Sequence, residues 1–463
     1  MSNGKDKTQR REFLRKSTVA ATGAALGLHA ATAPAVLSAA NPNDKVQVGF
    51  IGVGNRGTQL LHSFMKQPDM NVAALCDVYE PFRQRDLSKV DKELRKSLGG
   101  RIPKLDEKFD ASVERYNDFR RILERKDIDA VCIATPDHWH AIMAIMAFEA
   151  GKDVYVEKPL SITIHEGRKM AQAAQRSGRV NQVGLHRRSS NLYKKTAELI
   201  GADAIGKVTV ARAYRISNMY QNGIGKYPDS KPVEGLDWDM WLGPRADRGS
   251  RRNIAPYKFR WWGSYSSQMA NWGVHYLDAM RWALDQQAPI SVSAHGGRFA
   301  IDDDRTVPDT LEVIFEMPCK TLLIFGQYEA CGGPAIEQGE VEFRGTRGNL
   351  YTGSEGSGYK IIPSTNGQFQ KKSPSIKAVE GKRMDKDLTD QHVRNFLDCV
   401  KSRKRCNCDI ETGHRSTTFA HLANIALTTK CRIEWDAENE RITNNDEANK
   451  LLHYDYREPW TLG

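Results

Sequence analysis

The sequence predicts an α/β protein whose first part is a doubly wound parallel sheet and whose later part is a second, strand-rich domain. Three observations carry this. A glycine pattern stands between an alternating apolar strand and an amphipathic helix near residue 52. Strand-like and helix-like segments then alternate from 45 to 186, the signature of parallel strands joined by crossover helices. Beyond 206 come alternating segments punctuated by Gly and Pro, which read as short strands joined by turns.

Residues 45–51 alternate and are rich in β-branched side chains, so they read as a buried strand. The strand runs into Gly52-Val-Gly54-Asn55-Arg56-Gly57 and then an amphipathic helix. In this pattern Gly52 permits the tight turn, Gly54 lets the backbone approach a pyrophosphate, and Gly57 allows the helix to pack closely on the strand. The helix N-terminus, with Asn55 and Arg56, then faces the phosphates. The next strand, "NVAALCDVYE", carries Asp77 twenty residues after Gly57. An acid there hydrogen-bonds ribose hydroxyls and repels a 2′-phosphate, which favours NAD. Arg83 and Arg85 close by keep NADP open as the less favoured cofactor.

Two further strands end in polar tips. "DIDAVCIATPDHWHA" ends in Thr135-Pro136, and "DVYVEKPLS" ends in Glu157-Lys158-Pro159. Open parallel sheets bind ligands at the carboxyl ends of their strands, so both tips belong to a site. A helix, "IHEGRKMAQAAQRSG", and a last strand, "RVNQVGLHRR", complete the set. The latter brings His186, Arg187 and Arg188 to the edge of the cleft.

The composition is that of a water-exposed globular chain: 463 residues, 40% hydrophobic and 27% charged. A chain this long can bury a core without disulfide or metal staples. The formal charge is +11, with acids and bases interspersed and no basic stripe of the kind nucleic acid requires. The N-terminus reads as an export signal over 1–40. Arg10-Arg11 precede Phe13 and Leu14, then an Ala-rich apolar run ends in small residues near Ala40. Twin-arginine export to the periplasm of a protein already folded around its cofactor is expected. No later window approaches 18 apolar residues, so no stable membrane anchor is expected. Of the eight cysteines, Cys76 and Cys132 sit in strand-like runs as small core residues. Cys406 and Cys408 are too close for a zinc half-site, and no metal site is expected. A disulfide from Cys406 or Cys408 to another cysteine stays open.

Taken in order, "GVGNRG", "ATPDHWHA", "AGKDVYVEKPLS" and "NWGVHYLDAMRWAL" resemble the Gfo/Idh/MocA oxidoreductases. "LDWDMWLGP", "GTRGNL", "HVRNFLDCVKS" and "ETGHRSTTFAHLANIA" resemble a secreted bacterial subgroup of that family. The resemblance covers roughly 45–430. It implies a Rossmann domain followed by an α/β domain with a large open, mostly antiparallel sheet. One face of that sheet forms a subunit interface in the family, so a homodimer or homotetramer is expected. The expected division is a signal at 1–40, a Rossmann domain at 41–186 and a substrate and oligomerisation domain at 187–385. Helices at 386–430 would return to the first domain, and a tail at 431–463 has no assignable place.

Oxidation of a secondary alcohol needs a base for the hydroxyl proton and stabilisation of the developing alkoxide. The resemblance implies that Lys158 holds and polarises the reacting oxygen and that His275 moves its proton. Glu157 orients Lys158 or the cofactor. His140 matches a family histidine near the cofactor. Asn271 stands four residues before His275, where relatives commonly carry an acid. An amide can orient a ring or hold a hydroxyl but cannot stabilise imidazolium by charge. Asp278 is open between orienting His275 and bonding Arg281 or backbone. Arg187, Arg188, Asn271, His275, Tyr257 and Trp262 suit a sugar, whose C–H faces stack on flat rings and whose hydroxyls meet forked donors. The expected activity is NAD-dependent hydride exchange with a secondary hydroxyl of a sugar or sugar derivative. Two alternatives stay open: glycoside cleavage with tightly held, recycled NAD, and a non-catalytic sugar or nucleotide sensor.

Overall fold

The computed structural model describes residues 45–463 apart from 110–111, 366 and 370–375. The expected export signal at 1–40 lies outside the described residues.

Six parallel strands form the first sheet: β1 (Val46–Ile51), β2 (Met70–Cys76), β3 (Glu114–Tyr116), β4 (Ala130–Ile133), β5 (Asp153–Val156) and β6 (Asn181–Val183). Their order is β3-β2-β1-β4-β5-β6. The order reverses between β1 and β4, and that is where parallel sheets open a crevice. Helix α1 (Asn55–Met65) follows the glycine turn. Helix α2 (His140–Glu149) follows β4, and α3 (Ile164–Ser177) follows β5. Thr163 caps α3 by accepting from the Glu166 N–H, while the Glu166 carboxylate reaches back past the cap to accept from the Ile162 N–H. The short strand β3 carries too little alternation to be seen in the sequence.

Ten strands form the second sheet: β7 (Val208–Ile216), β8 (Ser291–Gly297), β9 (Thr310–Glu316), β10 (Leu322–Tyr328), β11 (Val341–Gly345), β12 (Gly348–Thr352), β13 (Tyr359–Pro363), β14 (Val379–Glu380), β15 (Ile433–Asp436) and β16 (Arg441–Ile442). The order is β14-β13-β12-β11-β7-β10-β9-β8-β15-β16. Only β7 and β10 run parallel; the other neighbours are antiparallel. One face buries Val313, Phe315, Leu323 and Phe325 against helix α4 (Val274–Ala283). A five-residue π-helical turn, Met269–Gly273, leads into α4.

Helix α5 (Leu388–Ser402) lays Phe396 against Phe64 of α1, with ring centroids 6.2 Å apart. Helix α6 (Ile410–Thr429) does more than return to the first sheet. Its Phe419 packs on Phe315 of β9 at 5.3 Å, while its Ser416, Thr417 and His421 reach the α4 and β5 sides. The final residues fold back over the first part. The Tyr456 hydroxyl donates to Glu166 at 2.5 Å, and Trp460 meets Trp139 edge-on at 4.7 Å.

Candidate functional site

The glycine turn shows why its residues are small. Gly52 has φ +84°, and a Cβ there would lie 2.8 Å from the Ala134 backbone. A Cβ on Gly57 would lie 1.9 Å from the Gly52 carbonyl oxygen. Both positions exclude other residues. Gly54 begins α1 without a side-chain cap, so the first N–H groups of the helix point into open space. Asn55 fixes the neighbouring loop by donating to the Arg101 carbonyl at 2.8 Å.

Asp77 is held at the tip of β2, where its carboxylate accepts from the Val53 and Tyr79 N–H groups at 2.9 Å each. Burial raises its pKa, and these two donors oppose the shift. Arg83 is occupied by the Asp77 carbonyl and Asn117, and Arg85 is buried against Glu107 and the Val53 carbonyl. Arg85 is thereby buried away from the cavity, whereas Arg83 is half-buried and spends one nitrogen on these two acceptors. A cavity opens here, lined by Gly52, Gly54, Asp77, Thr135, Pro136 and Trp139 among others. Its buried Thr135 hydroxyl has no protein partner. A small-residue turn, free helix N–H groups and a carboxylate at the next strand tip fit a dinucleotide.

A second cleft adjoins the first, sharing Asn55, Arg56, Thr135, Tyr257 and Arg260 with it. Lys158 lies in it. The Lys158 ammonium donates to the Asn271 side-chain oxygen at 2.8 Å and to the Asn271 carbonyl at 3.0 Å. Its third N–H has no acceptor among the described residues. Burial pulls the Lys158 pKa down to about 8, with the Glu157 carboxylate working against the shift. Glu157 itself pairs with Arg56 at 2.9 Å and accepts from the Lys158 N–H at 3.1 Å, so it positions the lysine and the first turn of α1 together.

His275 faces the same cleft. It is buried, and its Nδ1 has no hydrogen-bond partner among the described residues. Burial, then the charge on Lys158, then His186, hold its pKa well below the usual histidine value. Asn271, which lies in the π turn, therefore gives both its oxygens to Lys158 and has no bond to the imidazole among the described residues. Asp278 does not orient His275 either. It takes three bonds of 2.7–3.0 Å from Arg188 and one of 2.5 Å from Ser416.

That pairing corrects one expectation. Arg188 is committed to the buried Asp278 and is absent from the cleft wall. Trp262 is a second correction. It is buried beside Ile254 and Trp241, and its indole N–H donates to the Asn253 carbonyl at 2.7 Å. His140 is a third. Its two ring nitrogens lie against the Pro159 and Thr135 carbonyls, at 2.7 and 3.1 Å, so it ties the two strand tips together from behind the cavity. Arg187 and Tyr257 do line the cleft. Arg187 pairs with Glu340 at 2.6 Å, and Tyr257 carries the Arg260 guanidinium over its ring at 4.4 Å. The cleft also holds His186, whose ring lies 5.0 Å from that of His275, together with Arg215, Trp272 and Glu340. His186 sits in the "GLHRR" stretch noted from the sequence. Arg215 and Glu340 carry no local signal, because only the folding of the second sheet brings their strand ends here.

Two family descriptions match the chain: an oxidoreductase family's NAD-binding Rossmann fold over 46–185, and the same family's C-terminal alpha/beta domain over 199–462. The chain belongs to this Gfo/Idh/MocA oxidoreductase family. Among its relatives is a glycosyl hydrolase family 109 protein of Shewanella pealeana, 34% identical over 183 residues, which are 37% of this chain and 38% of that one. Another is an alpha-N-acetylgalactosaminidase of Shewanella oneidensis, 37% identical over 134 residues, 28% of this chain and 26% of that one. The matches thus span well under half of these relatives. Similar structures include the aldose-aldose oxidoreductase of Caulobacter crescentus complexed with glycerol (TM-score 0.58, 16% identity). A levoglucosan dehydrogenase in complex with NADH is also similar (TM-score 0.61, 16% identity). Each covers 84% of this chain and 99% of the other. At such identities the likeness is one of fold.

Proposed function

We propose that this family member exchanges a hydride between NAD and a secondary hydroxyl of a sugar or sugar derivative. The observation that carries the reading is Lys158, held through two of its three N–H groups by Asn271 in a cleft that opens onto the dinucleotide cavity. The turn Gly52–Gly57, Asp77 and Thr135 would hold NAD, which supplies the hydride acceptor or donor. The Asp77 carboxylate at the tip of β2 and the burial of Arg85 against Glu107 favour NAD over NADP. The remaining N–H of Lys158 binds the substrate oxygen and stabilises negative charge as it develops there. His275, neutral across the physiological range, is free to take the hydroxyl proton. Burial and the neighbouring ammonium disfavour the imidazolium, so the proton is readily returned. Replacing Lys158 by Ala should lower kcat at least 100-fold, a scale set by losing a preorganised charge donor, while NAD binding stays intact. Full turnover in that variant would remove the lysine from the mechanism.

A second reading, redox-assisted glycoside cleavage with NAD recycled in place, draws support from two features. One is the pair of unpartnered imidazoles, His186 and His275, since elimination needs more than one proton carrier. The other is the naming of the Shewanella relatives. Co-purified NAD and glycoside turnover without net NADH would select it. Sugar binding with no change in nicotinamide absorbance under any condition would instead select a sensor. We also propose twin-arginine export to the periplasm, tested by cell fractionation of a chain with Arg10 and Arg11 both replaced by Lys.

A further inference from the structure

Building on the oxidoreductase reading of this cleft, we propose that the sugar substrate is an anion whose charged group is received by Arg215. Eight lysines and arginines line the cleft against four carboxylates. Two of the cations are already neutralised, Arg56 by Glu157 and Arg187 by Glu340. Arg215, Arg383 and Lys386 have no ion-pair partner among the described residues.

Arg215 is the best placed of these. It is the penultimate residue of β7, paired in register with Gln327 of β10. Its guanidinium lies 3.6 Å from the centroid of Trp272, and its Nε is buried with no acceptor. Trp272 directly follows Asn271, the partner of Lys158, and its ring stands 6.4 Å from that of His275. A forked donor whose Nε has no acceptor among the described residues thus lies over Trp272, beside the proposed reacting groups. Leaving such a group unpaired costs free energy that a bound acceptor recovers.

This positive charge is not explained by a dinucleotide pyrophosphate. Arg215 also lines a neighbouring groove with Glu340, Ser354 and the 333–339 segment, and no residue of the glycine turn borders that groove. The planar fork of arginine matches a carboxylate or phosphate at two points, whereas a neutral hydroxyl uses only one. The excess charge would also draw an anionic sugar into the cleft.

The test is calorimetric titration of the NAD-loaded full chain with D-glucuronate, D-galacturonate and D-glucose 6-phosphate, each compared with neutral D-glucose or D-galactose. At least one anion should bind about tenfold or more tightly than its neutral parent, as expected of a charge-assisted pair. That advantage should vanish in Arg215→Gln and shrink as salt rises. The salt series on the unaltered chain decides the point independently of how the variant folds. Equal affinity for neutral and charged sugars, absence of binding by all three anions, or an advantage indifferent to salt would overturn the proposal. Tight binding of an anion that is never oxidised would sustain it and refute the oxidoreductase reading instead.

Discussion

Arg188 and Asn271 each spend their side chain on a charged partner, Asp278 and Lys158 respectively. Arg188 sits beside Arg187 and looks equally available to a substrate. The fold gives it to Asp278, with side chains 11% and 1% exposed. Burial pushes the Asp278 carboxyl up, but Arg188, Arg281 and Ser416 bring it below its ordinary value. Arg188→Gln would strand a buried carboxylate, so chemical denaturation should show a loss of about 3 kcal/mol or more. Substrate KM should be nearly unmoved; a large KM rise at unchanged stability would return Arg188 to the site. Asn271 is the second case. Its side-chain oxygen lies 2.8 Å from the Lys158 ammonium, so Asn271→Asp places a carboxylate beside that cation. An opposite charge favours the charged form, and the Lys158 pKa should rise from about 8. Activity that needs the ammonium falls as pH rises through that value, so the alkaline limb of kcat/KM should move upward in the variant. No acid limb is expected at the ordinary histidine value, because His275 is already neutral there. An alkaline limb that stays in place would separate Lys158 from the pH-dependent step.

At the scale of elements, the strand tips that shape the site were the most legible part of the sequence. β1, β2, β4 and β5 announce themselves by apolar runs that end in Gly, Asp, Thr-Pro and Glu-Lys-Pro. The second sheet was half legible. β7, β9, β10 and the β11–β12 hairpin alternate clearly, whereas β8, β13, β14, β15 and β16 are short, polar or glycine-rich and gain their strand form from neighbours. The π turn was not legible at all, because five residues of altered winding leave the apolar pattern of "QMANWGVHYLDAM" unchanged. The bond from Lys158 to Asn271 within that turn belongs to the fold and leaves no mark on the pattern. The close of β6 offers a test of how tightly one element sets another. A Cβ on Gly184 would lie 2.6 Å from a Glu157 carboxylate oxygen. Gly184→Ala should push Glu157 off Arg56 and loosen the anchoring of Lys158. Displacements of this size commonly cost about 100-fold in rate. We expect kcat to fall with the fold intact by circular dichroism. Wild-type kcat would mean that the Arg56–Glu157 pair contributes nothing to positioning.

At the scale of the whole molecule, the last residues of the chain complete the wall of the first cavity. The segment "HYDYREPW" has no periodicity, so nothing in the sequence assigned it a place. In the fold, Arg457 grips the turn after Trp241 through the Gly243 and Asp239 carbonyls, and its guanidinium pairs with the Asp239 carboxylate at 2.6 Å. Trp460 then stands edge-on to Trp139, with Phe119 6.4 Å away and the Arg120 guanidinium 5.5 Å from its ring. Trp139 and Phe119 both line the dinucleotide cavity, so the tail backs the surface on which a cofactor would rest. Gly243 has no room for a side chain, since a Cβ would lie 2.2 Å from the Trp139 ring, so the Trp139 ring packs directly on the backbone there. Truncating Trp460 to Ala should cost about 1–2 kcal/mol of stability, less than a fully buried aromatic because this ring is half-exposed. NAD affinity should weaken several-fold, while kcat at saturating NAD stays unchanged, because Lys158 and His275 have no contact with the tail. Tryptophan fluorescence titration with NAD measures the first effect and steady-state kinetics the second. A drop in kcat at saturation would mean that the tail reaches the substrate side. Unaltered NAD affinity would mean that Trp139 holds its position on the strength of Gly243 and Phe119 alone.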